Sequence, residues 1–177
     1  MLIIGITGQP SSGKDTVAEY LASKGFAHVS SSDKIREEMR KVGLTTEREN
    51  VSNFVIEKRK ERGNGYLAEQ ISDAIIGDTV VSGLRNTAEI EIFRKRFGKE
   101  FLLIAVDAPI ETRFRWAKDR GRIGDNISFE QFKKEEEKER AGSSFHEVDH
   151  VIKLADHLIF NDGTKEELLK KVDSCLR

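Results

Sequence analysis

The stretch from Gly8 to Thr16, GQPSSGKDT, sets two glycines, a lysine and a threonine at fixed intervals behind an apolar run. Gly8, Gly13 and Lys14 fill the fixed positions of G-x-x-x-x-G-K-[ST], the spacing of a loop that cradles phosphates. Asp15 stands where that pattern has a hydroxyl, and Thr16 follows it. Glycines let backbone amides converge on an anion with no Cβ in the way. The start of the following helix adds partial positive charge, and Lys14 neutralises the outer phosphates. Gln9, Ser11 and Ser12 line the loop without competing for that anion. Asp15 has two readings: it faces the water shell of a magnesium ion, with Thr16 supplying the phosphate-side hydroxyl, or it is a first-turn carboxylate favoured by the helix dipole.

Further cations suit a second phosphate. In SSDKIREEM, Asp33 and Arg36 open a helix, and Arg36 reads either as a clamp for an acceptor phosphate or as the partner of a surface carboxylate. In SGLRNTAE, Arg85 follows a buried strand, where a cation is costly unless an anion meets it. Arg113, Arg115, Arg120 and Arg122 crowd a helix and the turn DRGRIGD. Gly121 and Gly124 would let such a segment close over transferring phosphates, with Arg120 and Arg122 best placed, while the plainer reading is a solvated basic turn. KKEEEKER, Lys133 to Arg140, reads as an exposed helix face stitched by i,i+4 pairs. His146, Asp149 and His150 have the spacing of metal ligands on one helical face, but no further ligand is recognisable, and they read as polar positions of an amphipathic helix. No Ser/His/Asp or Cys/His nucleophile arrangement is visible, and phosphoryl transfer needs none.

The elements that must position these groups alternate. Leu2–Thr7, Phe26–Ser30, Asp78–Gly83, Phe101–Ala108 and HLIFN read as short buried strands. Helices follow the loop, begin at Ser32 with Ser32 or Asp33 as N-cap, cover about 46–62 and 66–76, and run through NTAEIEIFRKRF. Later ones begin at Pro109, span about 128–140 and 145–155, and close the chain after NDGT. Strands alternating with helices predict an α/β fold, a parallel sheet with helices on both faces, whose ligand site lies at the strands' carboxyl ends. The junctions there are Gly8–Thr16, Ser31–Arg36, Gly83–Asn86, Asp107–Pro109 and Asn161–Thr164.

With 177 residues and 37% hydrophobic content, the chain fits one good core. Thirty basic residues against 31 acidic ones give no global field for nucleic acid or membrane, so anion recognition must be local. The single cysteine, Cys175, cannot form an internal bridge, which fits a reducing cytosol. No signal-peptide pattern or membrane-length apolar run is visible, and a cytoplasmic monomer or homodimer is expected.

Taken together, the GKDT loop, SDKIREE, VVSGLRNTAEIEIF, RGRIGD and ADHLIFNDGTKEEL resemble the P-loop nucleotide kinases related to adenylate kinase and dephospho-CoA kinase, in particular a group of small, largely archaeal adenylate-kinase-related proteins. The resemblance spans nearly the whole chain. It implies a single P-loop kinase domain over 1–177: a three-layer α/β/α fold with five parallel strands, an acceptor-binding helical insertion at about 33–76 and a short lid at about 115–142. It implies Mg-ATP as donor and a nucleotide acceptor, first a nucleoside monophosphate and alternatively dephospho-CoA. Gly8, Ser11, Ser12, Gly13, Lys14, Asp15 and Thr16 would hold the ATP phosphates, with Asn161 and Gly163 beside its adenine. Asp33, Arg36 and Arg85 would take the acceptor, and Arg120 or Arg122 the lid role. One departure stands out: related proteins carry an aspartate at the first position of the strand-end D-G-x-R pattern, and this chain has Ser82. Asp15 or Asp107 would take over its place at magnesium, and a non-catalytic ATP- or AMP-binding regulator stays open as a reading of another class.

Overall fold

The computed structural model describes residues 1–121, 127–141 and 147–176. Five strands, β1 (Ile3–Thr7), β2 (Ala27–Ser30), β3 (Thr79–Ser82), β4 (Phe101–Asp107) and β5 (His157–Phe160), form one sheet in the order β2-β3-β1-β4-β5. Every neighbouring pair is parallel. β1 sits in the centre, with Ile6 opposite Ser82 and Thr7 opposite Ala105, so the loop after β1 emerges between the ends of β3 and β4.

Nine described helices connect and flank the strands: α1 (Lys14–Ser23), α2 (Ser31–Lys41), α3 (Arg48–Arg62), α4 (Tyr66–Asp73), α5 (Thr87–Phe97), α6 (Ile110–Arg120), α7 (Phe129–Ala141), α8 (Val148–Lys153) and α9 (Lys165–Cys175). The period-2 alternation of the strands sorts their side chains into two cores. Ile4, Ile6, Val80, Ile104 and Ile159 pack with Val17, Leu21, Leu168 and Val172 of α1 and α9. Ile3, Val81 and Leu103 face α4, α5 and α8, where Tyr66, Ile71, Ile90, Phe93 and Val151 are buried. Phe93 stacks on Phe101 at 5.3 Å between centroids. Gly5 makes room for this side: a Cβ there would lie 2.8 Å from both Leu84 and Phe101. Each such apolar side chain contributes about 1.5–3 kcal/mol when fully buried.

Most predicted elements are present, trimmed by one to three residues. The cap of α2 differs: Ser30, not Ser32 or Asp33, is the N-cap, its Oγ accepting from the Asp33 amide at 3.2 Å. β2 runs into α2 without a loop, so the strand's last residue takes that role. α5 and α9 both begin with full capping boxes, Asn86 with Glu89 and Thr164 with Glu167. α6 ends on Gly121, in the left-handed conformation at φ 62°. No helix among the described residues is long and apolar enough to cross a membrane.

Candidate active site

The glycine-bearing loop sits where β1 meets α1, and its conformation excludes other residues at two points. Gly8 has φ 141°, and a Cβ on it would lie 2.0 Å from the Val106 carbonyl oxygen. Gly13 has φ 103°, and a Cβ on it would lie 2.5 Å from Asn161 Nδ2. That amide belongs to a brace from the end of β5: Asn161 Nδ2 donates to the Ser12 carbonyl at 2.9 Å, while the Asn161 backbone amide donates to the Asp107 carbonyl at 2.7 Å. Lys14 Nζ donates across the loop to the Gln9 carbonyl oxygen at 2.7 Å. Ser12 Oγ is buried and has no hydrogen-bond partner among the described residues. α1 starts at Gly13 with no side-chain cap, and Asp15 lies exposed in its first turn. A backbone cradle too tight for a Cβ, with a buried orphan hydroxyl, suits the oxygens of an anion.

Cations converge on that cradle. Burial pushes the Lys14 ammonium from its usual 10.5 down to about 7. Arg85 is the next largest cause, Arg113 and Arg120 add to it, and Asp15 opposes it. Four positive side chains therefore share one field at the loop. Arg85 is half-buried, and its guanidinium has no ion-pair or hydrogen-bond partner among the described residues. Its backbone is fixed instead: the amide donates to Glu89 Oε2 at 2.9 Å and the carbonyl accepts from the Glu147 amide at 3.0 Å.

Beside the loop lies a cleft of about 430 Å³. Ser11, Ser12, Lys14, Asp15 and Thr16 line one side, and Asn161, Gly163 and Lys165 another. Trp116 and Arg120 of α6 close it. The structure thus gathers every expected loop residue from Ser11 to Thr16 with Arg120, Asn161 and Gly163. Trp116 was missed as a site residue; its four-residue spacing from Arg120, which puts both on one helix face, was the available signal.

Other expected residues lie apart. Arg36 pairs with Asp33 at 3.2 Å on the surface of α2, with 41% and 77% of those side chains exposed. Asp107 Oδ1 accepts from the Ala108 amide at 2.9 Å, and Asp107 does not line the cleft. Ser82 is buried, and its Oγ lies 2.9 Å from His28 Nε2 of the edge strand. Arg122 and His146 are outside the described residues.

Two readings change. Arg113 does not belong to a solvated basic turn: it is 3% exposed and forks onto Glu136, 8% exposed, with Nη1 and Nη2 at 2.6 and 3.0 Å from the carboxylate. Its Nε donates to the Ala108 carbonyl at 2.9 Å and Nη1 reaches the Pro10 carbonyl of the loop at 3.4 Å. KKEEEKER is accordingly not all solvent face, since its Glu136 is buried against the loop. The second change concerns Asp149, read as a polar helix position: its Oδ1 accepts from Gln9 Nε2 at 2.6 Å. A charged pair between α3 and α5 also went unread, Arg59 with Glu89 at 3.5 Å, both deeply buried. Burial pushes the Glu89 carboxyl up, opposed by Arg59 and by the Arg85 and Asn86 amides.

Among the described residues no three His, Cys, Asp or Glu side chains cluster as metal ligands. A magnesium ion would need phosphate oxygens beside the Thr16 hydroxyl and Asp15, and both line the cleft.

Comparison with known proteins bears on the family and the fold. Residues 7–133 match a family model described as an AAA domain. The chain is 36% identical to a UPF0200 protein of Thermococcus gammatolerans, over 97% of this chain and 92% of that one. A UPF0200 protein of Methanocaldococcus jannaschii is 35% identical over 100% and 90%. Among solved structures, the shikimate kinase of Bacteroides thetaiotaomicron superposes with a TM-score of 0.64 at 12% identity, covering 99% of this chain and 98% of that one. The Aquifex aeolicus shikimate kinase gives 0.58 at 18%, covering 99% and 96%. At such identities the likeness is one of fold. With relatives above 30% identity along nearly its full length, the chain belongs to the UPF0200 family and has the α/β fold of P-loop kinases.

Proposed function

We propose that this protein is an ATP-dependent phosphotransferase acting on a small nucleotide acceptor. The observation that carries the reading is the convergence of Lys14, Arg85, Arg113 and Arg120 on a cradle that suits phosphate oxygens. In phosphoryl transfer, positioning and electrostatic stabilisation do most of the work, and these groups supply both. The donor's phosphates would lie against residues 8–16. Its base would enter the cleft between Trp116 and the Asn161–Gly163 turn, where the indole offers a stacking face. Thr16 and Asp15 would hold magnesium, which offsets phosphate charge when bound. Arg85, half-buried beside Lys14, would meet a phosphate of the acceptor, and Arg120 would act from the lid side, with Arg122.

Two acceptors fit that demand, and both follow from the resemblance to enzymes related to adenylate kinase and dephospho-CoA kinase: a nucleoside monophosphate, or dephospho-CoA phosphorylated on its hydroxyl. Residues 33–76 would form the acceptor side and 115–142 the lid, in a cytoplasmic monomer or homodimer that binds neither nucleic acid nor membrane. A regulator that binds nucleotide without transfer draws support from Ser82, which holds His28 where a carboxylate would serve magnesium.

The test is label transfer from γ-labelled Mg-ATP to a panel of ribo- and deoxynucleoside monophosphates and dephospho-CoA. A labelled acceptor, lost in Lys14→Ala with the fold intact by circular dichroism, supports the kinase. ATP binding with the label never leaving ATP would favour the regulator, and wild-type ATP affinity and rate in Lys14→Ala would overturn the loop assignment.

A further inference from the structure

Asp149 is the acidic group that the fold brings to the phosphate loop from the far end of the chain. Its carboxylate accepts from Gln9 Nε2 at 2.6 Å, and the Gln9 carbonyl in turn accepts from Lys14 Nζ at 2.7 Å. The helix that carries it is fixed on the other side to the end of β3. The Glu147 amide donates to the Arg85 carbonyl at 3.0 Å, and Glu147 Oε2 accepts from the Thr87 hydroxyl at 2.6 Å and the Thr87 amide at 3.2 Å. Val148 and Val151 are buried beneath, so the first turn of α8 spans from Arg85 to the loop and leaves Asp149 at its exposed surface. A carboxylate thus stands on the turn that ties the Arg85 backbone to the loop that would hold the donor.

We infer that the acceptor's reacting group is a hydroxyl and that Asp149 takes its proton; the inference rests on the phosphotransferase reading above. A phosphate acceptor is already anionic, needs no base, and is repelled by a neighbouring carboxylate. A hydroxyl must lose its proton as it attacks, and a carboxylate within reach accepts it. In the step, the acceptor O–H proton passes to the Asp149 carboxylate and the acceptor oxygen forms the bond to the γ-phosphorus. The bond from that phosphorus to the bridging oxygen breaks, its electron pair leaves on ADP, and Asp149 later returns the proton to water. Arg85 would hold a phosphate elsewhere on the same acceptor.

The experiment offers the full chain γ-labelled Mg-ATP with nucleoside monophosphates, nucleosides and dephospho-CoA, and locates the label in each product on a phosphate or on a hydroxyl oxygen. Label is expected on a hydroxyl oxygen, as a phosphate monoester. Asp149→Ala should lower kcat about 10²-fold or more, the range of a lost general base, with ATP affinity held within about twofold. Added formate should restore part of that rate. Asp149→Asn, closer in shape, serves if the alanine variant folds poorly, and should lose as much rate. Gln9→Ala removes the same hydrogen bond but keeps the carboxylate, so formate should not raise its rate. Label in the phosphoanhydride of a nucleoside diphosphate, a rate loss below about threefold in both Asp149 variants, or no response of Asp149→Ala to formate would each overturn the inference. Label that stays on ATP or appears only as free phosphate with every acceptor refutes the phosphotransferase reading itself, and this inference with it.

Discussion

Replacing Glu136 by leucine tests whether α7 is tied to the phosphate loop by a buried charge. The change removes a carboxylate that is 8% exposed and leaves the Arg113 guanidinium, 3% exposed, with a uncompensated charge. Breaking a buried pair in this way costs about 3–5 kcal/mol. Arg113 keeps its hydrogen bonds to the Ala108 and Pro10 carbonyls, which places the expected loss near the lower bound, about 3 kcal/mol. For a domain of this length each kcal/mol moves the melting temperature by about 2–4 °C, so a fall of about 6–12 °C is expected. The double variant Arg113→Met/Glu136→Leu removes both charges and should recover most of that loss, because apolar replacement of a buried pair is often neutral or better. Thermal and urea unfolding of the nucleotide-free protein, run as a double-mutant cycle, reads both effects. A single-variant loss below about 1 kcal/mol, the size of a surface pair, would refute the reasoning, as would simple additivity in the cycle.

Further outcomes are expected at Lys14, Gly13 and Trp116. Because folding depresses the Lys14 pKa from 10.5 to about 7, the unfolded chain holds a proton that the native protein has lost between those values. Nucleotide-free stability should therefore gain from this residue as pH rises from about 7 toward 10.5, and Lys14→Met should remove that gain in urea titrations across the range. Recharging Lys14 against phosphates at pH 8 should draw up about 0.9 proton, measured by calorimetry in buffers of different ionisation enthalpy; uptake near zero contradicts this. Gly13→Ala must displace Asn161 from a Cβ at 2.5 Å and hold alanine at φ 103°, and should weaken ATP binding about tenfold or more; unchanged affinity would show the loop adapts. Trp116 is the only tryptophan, so ATP should change the protein's indole emission directly, and Trp116→Ala should raise the ATP KM about 2–13-fold with kcat little changed. An unaffected KM would remove the indole from the base site.

The loop and the sheet were legible because their signals are local. Gly8, Gly13 and Lys14 lie within seven residues of one another, and the strands announce themselves by apolar runs between turns. What stayed hidden joins residues far apart. Gln9 and Asp149 are separated by 140 positions, and nothing around either one names the other. Glu136 sits in an almost wholly charged run, where hydrophobic periodicity has no contrast to report. Its inward face can be read only by extending the stripe of Phe129 and Phe132, whose rings lie 5.2 and 5.6 Å from Phe114, by one further turn. Arg36 shows the converse: a cation at a strand junction met its own helix's Asp33 three residues away, as a surface arginine commonly does.

The capping of the helices has a consequence for where a multiply charged ligand settles. Along the carboxyl edge of the sheet, α2, α5 and α9 each have a first-turn amide bonded to a side chain of their own segment, from Ser30, Asn86 and Thr164. α1 has no such side chain at Gly13. Three doors on this edge are thus latched from inside; α6 also lacks a side-chain cap but opens on Pro109, which has no amide hydrogen to offer, and the door at the glycine loop is left ajar. Discrimination among neighbouring helix ends then depends on what the sequence withholds at one position as much as on what it supplies there. A substitution such as Asn86→Gly would unlatch a rival berth next to Arg85, and misplaced phosphate would be its signature.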